Sequence, residues 1–279
     1  MNAYAKINLS LEIFPKRADG FHNLETVFQS IELHDEIEVE KSDRISLEMF
    51  PAVENIPTDE KNLAYVSAKM LCDEFELPGV KITLKKNIPS AAGLAGGSAD
   101  SAAVLNAVND LYSLNLSKRD LEIRAEKIGS DVPFCISGGT QFGTGRGEIL
   151  QPLKNLPEIS IVIVKPEIEI STAWAYKTFD EEKISDVYDS KKILQSIELG
   201  DWNLISKNIF NRFELIIGRK FPAIIEIKKQ MLELGAMNAM MSGSGSSVFG
   251  IFENPVDVEN LKKYGRVFLT RTLRSDFDD

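Results

Sequence analysis

The chain has 279 residues, 43% of them hydrophobic and 27% charged, which is ordinary globular composition with length enough for two domains. Its 42 acids and 32 bases leave a net charge of −10, which argues against nucleic acid or an anionic membrane surface as a general partner. Two cysteines make a disulfide framework unlikely, no apolar run is long enough to span a bilayer, and the first residues lack a signal peptide's apolar stretch, so a soluble cytoplasmic protein is expected.

The first expected element is a strand over 4–13. Ile7, Leu9, Leu11 and Ile13 face one way and Lys6, Asn8, Ser10 and Glu12 the other. That polar face is either solvated or aims a cation and an amide into a site. Asp19-Gly20 is a turn signal, and Phe21 and His22 follow at once. Strand-like segments cover 27–39, with a break expected near His34-Asp35. His34 reads as a turn or surface residue. His22 and His34 are the only histidines, and no cluster has the spacing of a structural metal site. A polar loop over 51–61 leads into an amphipathic helix over 62–77, with Leu63, Val66, Met70 and Leu71 as its buried stripe.

Val80 to Lys85 alternates like a half-buried strand. From Ser90 to Ala103 every residue but Leu94 and Asp100 is Gly, Ala or Ser, a run with no side chains for a conventional core. Val104, Leu105, Val108 and Leu111 then recur at helical spacing, so a helix is expected over 99–112. Strand, small-residue loop and helix start together offer bare backbone and the N–H groups of a helix N-terminus, which suit a phosphate. The competing reading is a flexible connection into an alanine-rich packed helix. No Gly-Lys-Ser/Thr occurs, and no Gly-x-Gly-x-x-Gly follows a strand, which excludes a P-loop or a dinucleotide fold.

Ser117 caps the next helix, which runs to Gly129. In Gly129-Ser130-Asp131-Val132-Pro133-Phe134, Ser130 or Asp131 either caps a short helix begun by Pro133 or supplies a reactive carboxylate. A second glycine cluster over 137–147 reads as turns between short strands. Pro152 and Pro157 bracket a polar link, where a domain boundary falls at 153/154, and a buried strand opens at 159–164. Ser171 or Thr172 caps a helix, and helical segments continue over about 190–217. Another helix lies between Pro222 and Gly235, with Ile224, Ile225, Ile227, Met231 and Leu232 on its apolar side. A third small-residue loop over 240–250 leads into a strand at 247–252. A helix over 256–264, a strand over 266–273 and a frayed acidic tail from Ser275 complete the chain.

Ala5-Lys6-Ile7-Asn8-Leu9, Asp19-Gly20-Phe21-His22, the Pro89–Ser98 loop, Gly129-Ser130-Asp131-Val132-Pro133-Phe134 and the Met240–Gly245 loop, in this order, resemble the GHMP kinases. That family is named for galacto-, homoserine, mevalonate and phosphomevalonate kinases. The resemblance covers residue 4 to about 252. It implies an α+β, two-domain GHMP kinase fold. The N-terminal domain, over 1–153, is ribosomal S5 domain 2-like, and the C-terminal domain, over 154–279, is ferredoxin-like. It also implies an enzyme that moves the γ-phosphoryl group of ATP, with Mg²⁺, to a hydroxyl of a small alcohol. The Phe21-His22 segment points within the family to a cytidine diphosphate sugar alcohol on a route to isoprenoid precursors. The partners implied are small molecules, with neither nucleic acid nor membrane, and the chain is expected as a monomer or weak homodimer.

The resemblance also distributes roles. Pro89, Ser90, Ala91, Ala92, Gly93, Leu94, Ala95, Gly96, Gly97 and Ser98 form the ATP loop, with 93–98 around the β- and γ-phosphates and the Ser98 hydroxyl toward Mg²⁺. Asn62 and Lys86 belong to the adenine side. Asp131 matches the catalytic aspartate, and Lys6 the lysine that steadies it and offsets charge on the transferred group. Asn8 and His22 contact the acceptor, His22 at the cytosine edge, and Phe21 lies against the cytosine ring. Thr172 contacts a substrate hydroxyl, and Tyr176 forms a second aromatic wall. Phe21 stands where the family often has Tyr, and Ala91, Ala92 and Ala95 where it often has Gly, so these alanines are expected to keep φ below zero. The segment 208–214 matches the family pattern only in part. The alternatives are a GHMP kinase acting on another alcohol and a non-catalytic nucleotide-binding protein.

Overall fold

The computed structural model describes residues 1–53, 56–182 and 187–275. The chain gathers into two units that interleave in sequence. Unit 1 holds Met1–Ala5, Leu33–Ser90 and Ala95–Gly138, and unit 2 holds Lys6–Glu32, Ala91–Leu94 and the chain from Gly139 onward. Strands β1 (Asn2–Lys16) and β2 (His22–Lys41) contribute residues to both. Helices and largely antiparallel sheets make the architecture α+β.

In unit 1 the end of β2 runs into a small sheet. Strand β3 (Ser46–Phe50) precedes helix α1 (Leu63–Glu74), and β4 (Val80–Lys85) follows it. β4 pairs antiparallel with β2, from Glu36 opposite Lys85 to Lys41 opposite Val80, and parallel with β3. The expected break in β2 at His34-Asp35 does not occur. Asp35 is wholly buried there with its carboxylate hydrogen-bonded, so the strand continues through it. His34 is likewise no turn residue, since it sits mid-strand with its ring edge-on to Tyr4, 5.3 Å between centroids.

Helix α2 (Gly96–Leu111) packs on α1, followed by α3 (Lys118–Ala125) and α4 (Val132–Ser137). The buried face of α1 is Ala64, Ser67, Ala68, Leu71 and Cys72, while Leu63, Val66 and Met70 are only half-buried. The cause is α2, whose Ala99, Ser101, Ala102 and Ala103 are buried too. Small residues let the two helix backbones approach, and the Ser67 and Ser101 hydroxyls meet at 2.6 Å. The second half of the small-residue run is therefore core, contrary to expectation, because Gly96 already begins the helix. Ser117 and Asp120 form the capping box of α3.

Unit 2 pairs the first part of β2 with β5 (Thr140–Thr144), and β5 with β6 (Ile149–Pro152). After β7 (Ser160–Lys165) come α5 (Thr172–Glu181), α6 (Lys191–Leu199) and α7 (Trp202–Asn208). The two-residue strand β8 (Phe210–Asn211) pairs parallel with β1 at Ser10 and Leu11 and interrupts the helical stretch expected to 217. α8 (Arg212–Lys220) and α9 (Pro222–Glu233) follow. Ile224, Ile227 and Met231 of α9 are buried, but Ile225 and Leu232 are exposed. Each directly follows a buried residue, and a helix turns such neighbours apart. β9 (Asn238–Met241), β10 (Val248–Phe252) and β11 (Arg266–Arg271) join β7 in an antiparallel sheet ordered β11-β7-β10-β9. The helix expected over 256–264 is a 3₁₀ segment at Glu259–Tyr264. Its turns close through three-residue bonds such as Leu261 N–H to Val258 O at 2.9 Å. The acidic tail beyond Ser275 lies outside the described residues.

The polar side of β1 is not solvated. Lys6, Asn8, Ser10 and Glu12 are 3%, 2%, 0% and 1% exposed. Each needs a partner, because an unpaired buried charge is costly. Glu12 finds Arg212, which is itself 1% exposed: Oε1 accepts from Nε at 2.7 Å and Oε2 from an Nη at 2.5 Å. The carboxylate also accepts the Tyr188 and Ile13 amides, and the guanidinium lies 4.8 Å from the centre of the Phe210 ring. Removing one partner strands the other charge. Glu12→Gln is expected to cost about 3–5 kcal/mol, a fall in Tm of roughly 6–15 °C. Calorimetric melting checks this, and a shift under about 2 °C overturns it.

Candidate active site

In unit 2, Lys6 and Asn8 stand next to each other on the buried face of β1, two residues apart as strand geometry requires. The Lys6 ammonium donates to Asn8 Oδ1 at 2.7 Å and to the Gly93 carbonyl at 3.2 Å, and lies 5.4 Å from the centre of the Phe28 ring. Asn8 passes the chain on, donating through Nδ2 to Thr26 Oγ1 at 2.8 Å, and Thr26 donates to the Ser10 carbonyl at 2.7 Å. The Lys6 backbone N–H meets the Leu94 carbonyl at 3.2 Å. The lysine thus touches the glycine loop through both side chain and backbone.

The loop's middle is also held from the late small-residue loop. Ser242 Oγ donates to the Gly93 carbonyl at 2.9 Å, and the Ser246 and Ser247 amides donate to the Ala91 and Ala92 carbonyls at 3.4 and 3.3 Å. Asn211 fixes that late loop, with Nδ2 donating to the Met241 and Gly243 carbonyls at 2.6 and 2.8 Å. Gly93 has φ +72°, and a Cβ there would lie 2.0 Å from the Ser242 carbonyl oxygen. Only glycine fits. The alanines depart from expectation: Ala91 and Ala95 have φ 47° and 57°, in the left-handed region. That conformation costs an alanine about 1–2 kcal/mol, and surrounding bonds override the cost. The Ala91 carbonyl is bound by Ser246, and the Ala95 carbonyl accepts the first helical bond of α2, from Ala99 N–H at 2.9 Å.

His22 is 6% exposed, at the start of β2. Its Nδ1 lies 2.8 Å from the Phe14 carbonyl, and its Nε2 is 3.1 Å from Asp180 Oδ1 but out of line for a hydrogen bond. The ring stacks on Tyr176 at 5.1 Å and meets Phe179 edge-on. Tyr176 and Phe179 come from α5, which Ser171 caps and Thr172 begins. Thr172 is exposed, 3.2 Å from the Ser244 hydroxyl. Phe21 is not in this stack. It is 52% exposed, with the Arg146 guanidinium 5.0 Å from its ring centre.

In unit 1, Ala95 is the N-cap of α2 and supplies no side-chain cap, so the first-turn amides of Gly96, Gly97 and Ser98 meet no capping side chain. Pro89 is buried and Ser90 exposed where the chain enters the loop. Asn62 is the N-cap of α1, accepting from Ala64 N–H at 2.9 Å and donating to Pro57 O at 2.7 Å. Lys86 is buried, its ammonium bound to Asp35 and, at 2.8 Å, to Asp100. Burial works against that charge, but the two carboxylates outweigh it and raise the lysine's pKa. Asp131 occupies the N-cap position of α4, yet its carboxylate caps none of the helix amides. The capping reading of Asp131 therefore fails.

Sequence reasoning did not find Ser242, Asn211, Asp35, Thr26 or Asp180. Ser242 lay inside a loop already singled out, and Asp100 was the one charge in the small-residue run. Among the described residues no group of three or more His, Cys, Asp or Glu could hold a metal ion. The Ser98 hydroxyl, in the first turn of α2, is an oxygen donor of the kind that Mg²⁺ takes.

The profile of the GHMP kinases N terminal domain matches residues 62–139, and that of the GHMP kinases C terminal domain matches 193–266. A "4-diphosphocytidyl-2-C-methyl-D-erythritol kinase" of Caldicellulosiruptor saccharolyticus is 41% identical over 99% of this chain and 98% of its own. One of the same name from Clostridium perfringens is 41% identical over 99% of both. A crystal structure of 4-(cytidine 5'-diphospho)-2C-methyl-D-erythritol kinase aligns with TM-score 0.82 and 33% identity over 98% of both chains. A structure of L. major mevalonate kinase shares the fold alone, with TM-score 0.74 at 16% identity over 99% of this chain and 95% of its own.

Gly93 and Gly20 both have positive φ, but nothing lies within 4 Å of a Cβ on Gly20. Gly20→Ala is expected to show only the conformational cost of about 1–2 kcal/mol, while Gly93→Ala adds a backbone clash and loses more. Urea unfolding compares them, and equal losses would sink the claim that the Gly93 contact is what demands glycine.

Proposed function

The chain belongs to the GHMP kinase family, and from that premise we infer that it transfers the γ-phosphoryl group of ATP to the 2-hydroxyl of 4-diphosphocytidyl-2-C-methyl-D-erythritol, in isoprenoid precursor synthesis. The near-full-length likeness to relatives of that name supports the substrate class. The structural observation that carries it is the buried His22 stacked on Tyr176, one residue after the exposed Phe21. A kinase for a small plain alcohol has no use for a buried histidine stacked on a tyrosine, with a ring nitrogen out of line with the carboxylate beside it. A cytosine has an edge to offer such a nitrogen and a face to offer the rings.

Phosphoryl transfer asks mainly for positioning and charge stabilisation. The loop over 89–98, with the uncapped first turn of α2, is assigned to the phosphates. Asp131 takes the proton of the acceptor hydroxyl at its carboxylate. The hydroxyl oxygen forms its bond to the γ-phosphorus as the bond to the β,γ-bridging oxygen breaks, and that electron pair leaves with ADP. Lys6, already oriented by Asn8 and the Gly93 carbonyl, offsets negative charge on the transferred group. Asn8 and Thr172 are assigned to acceptor hydroxyls, Phe21 to the cytosine face, and Asn62 and Lys86 to the adenine side. Lys86 serves there through its backbone and stem, since its ammonium is bound to two carboxylates. The Ser98 hydroxyl would help hold a nucleotide-bound Mg²⁺, which would supply charge neutralisation on the phosphates.

We assign the junction of the two family domains to 153/154, in the irregular segment between β6 and β7. No helix among the described residues is long and apolar enough to cross a membrane. We assign the chain to the cytoplasm, as a monomer or weak homodimer.

Purified protein with ATP and the cytidyl substrate is expected to release ADP in a coupled assay, and galactose, homoserine and mevalonate are not. Turnover with one of these and none with the cytidyl substrate overturns the assignment. Asp131→Asn is expected to retain ATP binding and lose turnover by about 10²-fold or more. Near-wild-type turnover would remove Asp131 from the chemistry.

A further inference from the structure

Three buried charged side chains in unit 1 do no chemistry in the reaction just described, although the backbone and stem of one of them, Lys86, are assigned to the adenine side. Asp35 comes from β2, Lys86 follows β4, and Asp100 lies in α2. Asp35 is fully buried. Its Oδ1 accepts the Asn87 and Ile88 amides at 2.5 and 2.8 Å, and its Oδ2 takes the Lys86 ammonium. Asn87 adds a bond from Nδ2 to the His34 carbonyl at 3.0 Å. One carboxylate therefore holds the three residues just before Pro89, where the chain enters the glycine loop. The same ammonium reaches Asp100 Oδ2 at 2.8 Å, just past the loop's exit. The two ends also touch. A Cβ on Gly96 would lie 3.0 Å from Ile88 Cγ2 and 3.5 Å from Lys86 Nζ.

We propose that Asp35, Lys86 and Asp100 form a positioning triad for the nucleotide, tying the loop's entry to its exit so that the uncapped first turn of α2 stays open to phosphate. This rests on the kinase reading above. A simple fold staple would account for the geometry less well. Buried ion clusters often do no better than apolar side chains of equal volume. This one is not even balanced, since Asp100 Oδ1 is buried with no hydrogen-bond partner. Burial pushes the Asp100 carboxyl up to about 7, and Asp35 adds to the rise against the pull of Lys86. Such a cluster is poor at lowering energy and good at fixing atoms, because each carboxylate accepts in set directions. Fixed atoms are what a phosphate site built from bare amides needs, since it has no side chains to adjust with.

The test uses the full chain. A non-hydrolysable ATP analogue is titrated calorimetrically against wild type, Asp100→Asn and Lys86→Met, with Tm recorded for each. Steady-state KM is measured for ATP and for the acceptor separately. We expect the analogue's Kd and the KM for ATP to rise about tenfold in both variants, with the KM for the acceptor within about twofold of wild type. A Kd for the analogue within about twofold of wild type overturns the triad's role, whatever happens to Tm. If either variant fails to fold, Lys86→Arg, which keeps the charge but changes its geometry, is read by the same two outcomes. The analogue titration needs no acceptor. A wild type that binds it and turns over no cytidyl substrate would defeat the proposed function and leave the triad standing.

Discussion

Burying a polar strand face is the constraint on which unit 2 depends. Once Lys6, Asn8, Ser10 and Glu12 are out of water, each must be satisfied from elsewhere in the chain. Asn8 draws in Thr26, Ser10 accepts the Val27 amide at 3.2 Å, Glu12 requires Arg212, and Lys6 takes the Gly93 carbonyl. Arg212 begins α8 directly after β8, which pairs with β1 at Ser10 and Leu11. A single row of alternate residues thereby fixes a strand pairing, a helix start and a loop. No apolar strand could recruit partners so specifically, because dispersion contacts have no direction.

The glycine loop shows the same preference for geometry over local comfort. Two alanines sit in a backbone conformation that L-residues avoid, and one glycine sits where any side chain would strike a carbonyl. Local conflict of this kind is sustained only when neighbours over-determine the path. Here they do, with Ser242, Ser246 and Ser247 bound to successive carbonyls of the loop.

Much of this was legible in the sequence. Alternating residue types located β1 and β4, continuous apolar runs located β7 and β10, and the spacing of Val104, Leu105, Val108 and Leu111 located α2. Periodicity erred on α1 because its stripe rule favours large residues, and the actual contact is made by small ones. It broke β2 at Asp35 because a buried aspartate in mid-strand looks like a turn until its partners, about fifty residues away, are known. The motifs point to Lys6, Asn8, His22 and Asp131, to which the proposed reaction gives roles carried by their side chains. They could not identify Asn211, Asp35 or Asp180, whose importance lies only in what they hold. Phe21 and Lys86 show the converse: each was named for contact with a ligand, and each has protein contacts that composition could not foretell, Arg146 for one and paired carboxylates for the other.

The Ser67–Ser101 hydroxyl pair between α1 and α2 bears on how this protein can change over generations. Enlarging either residue forces the helices apart, and removing the Ser67 hydroxyl orphans that of Ser101 in a dry contact, whereas Ser67 without Ser101 keeps its bond to the Leu63 carbonyl at 2.8 Å. Ser101 lies on the same helix as the glycine loop's last residues, so a neutral-looking change on α1 alters the footing of the uncapped turn to which the proposed function assigns phosphate. The two positions are therefore expected to be epistatic, with alanine tolerated at 67 only after alanine stands at 101. That links the mutational freedom of α1, a helix assigned only one contact with substrate, to the inheritance of the loop.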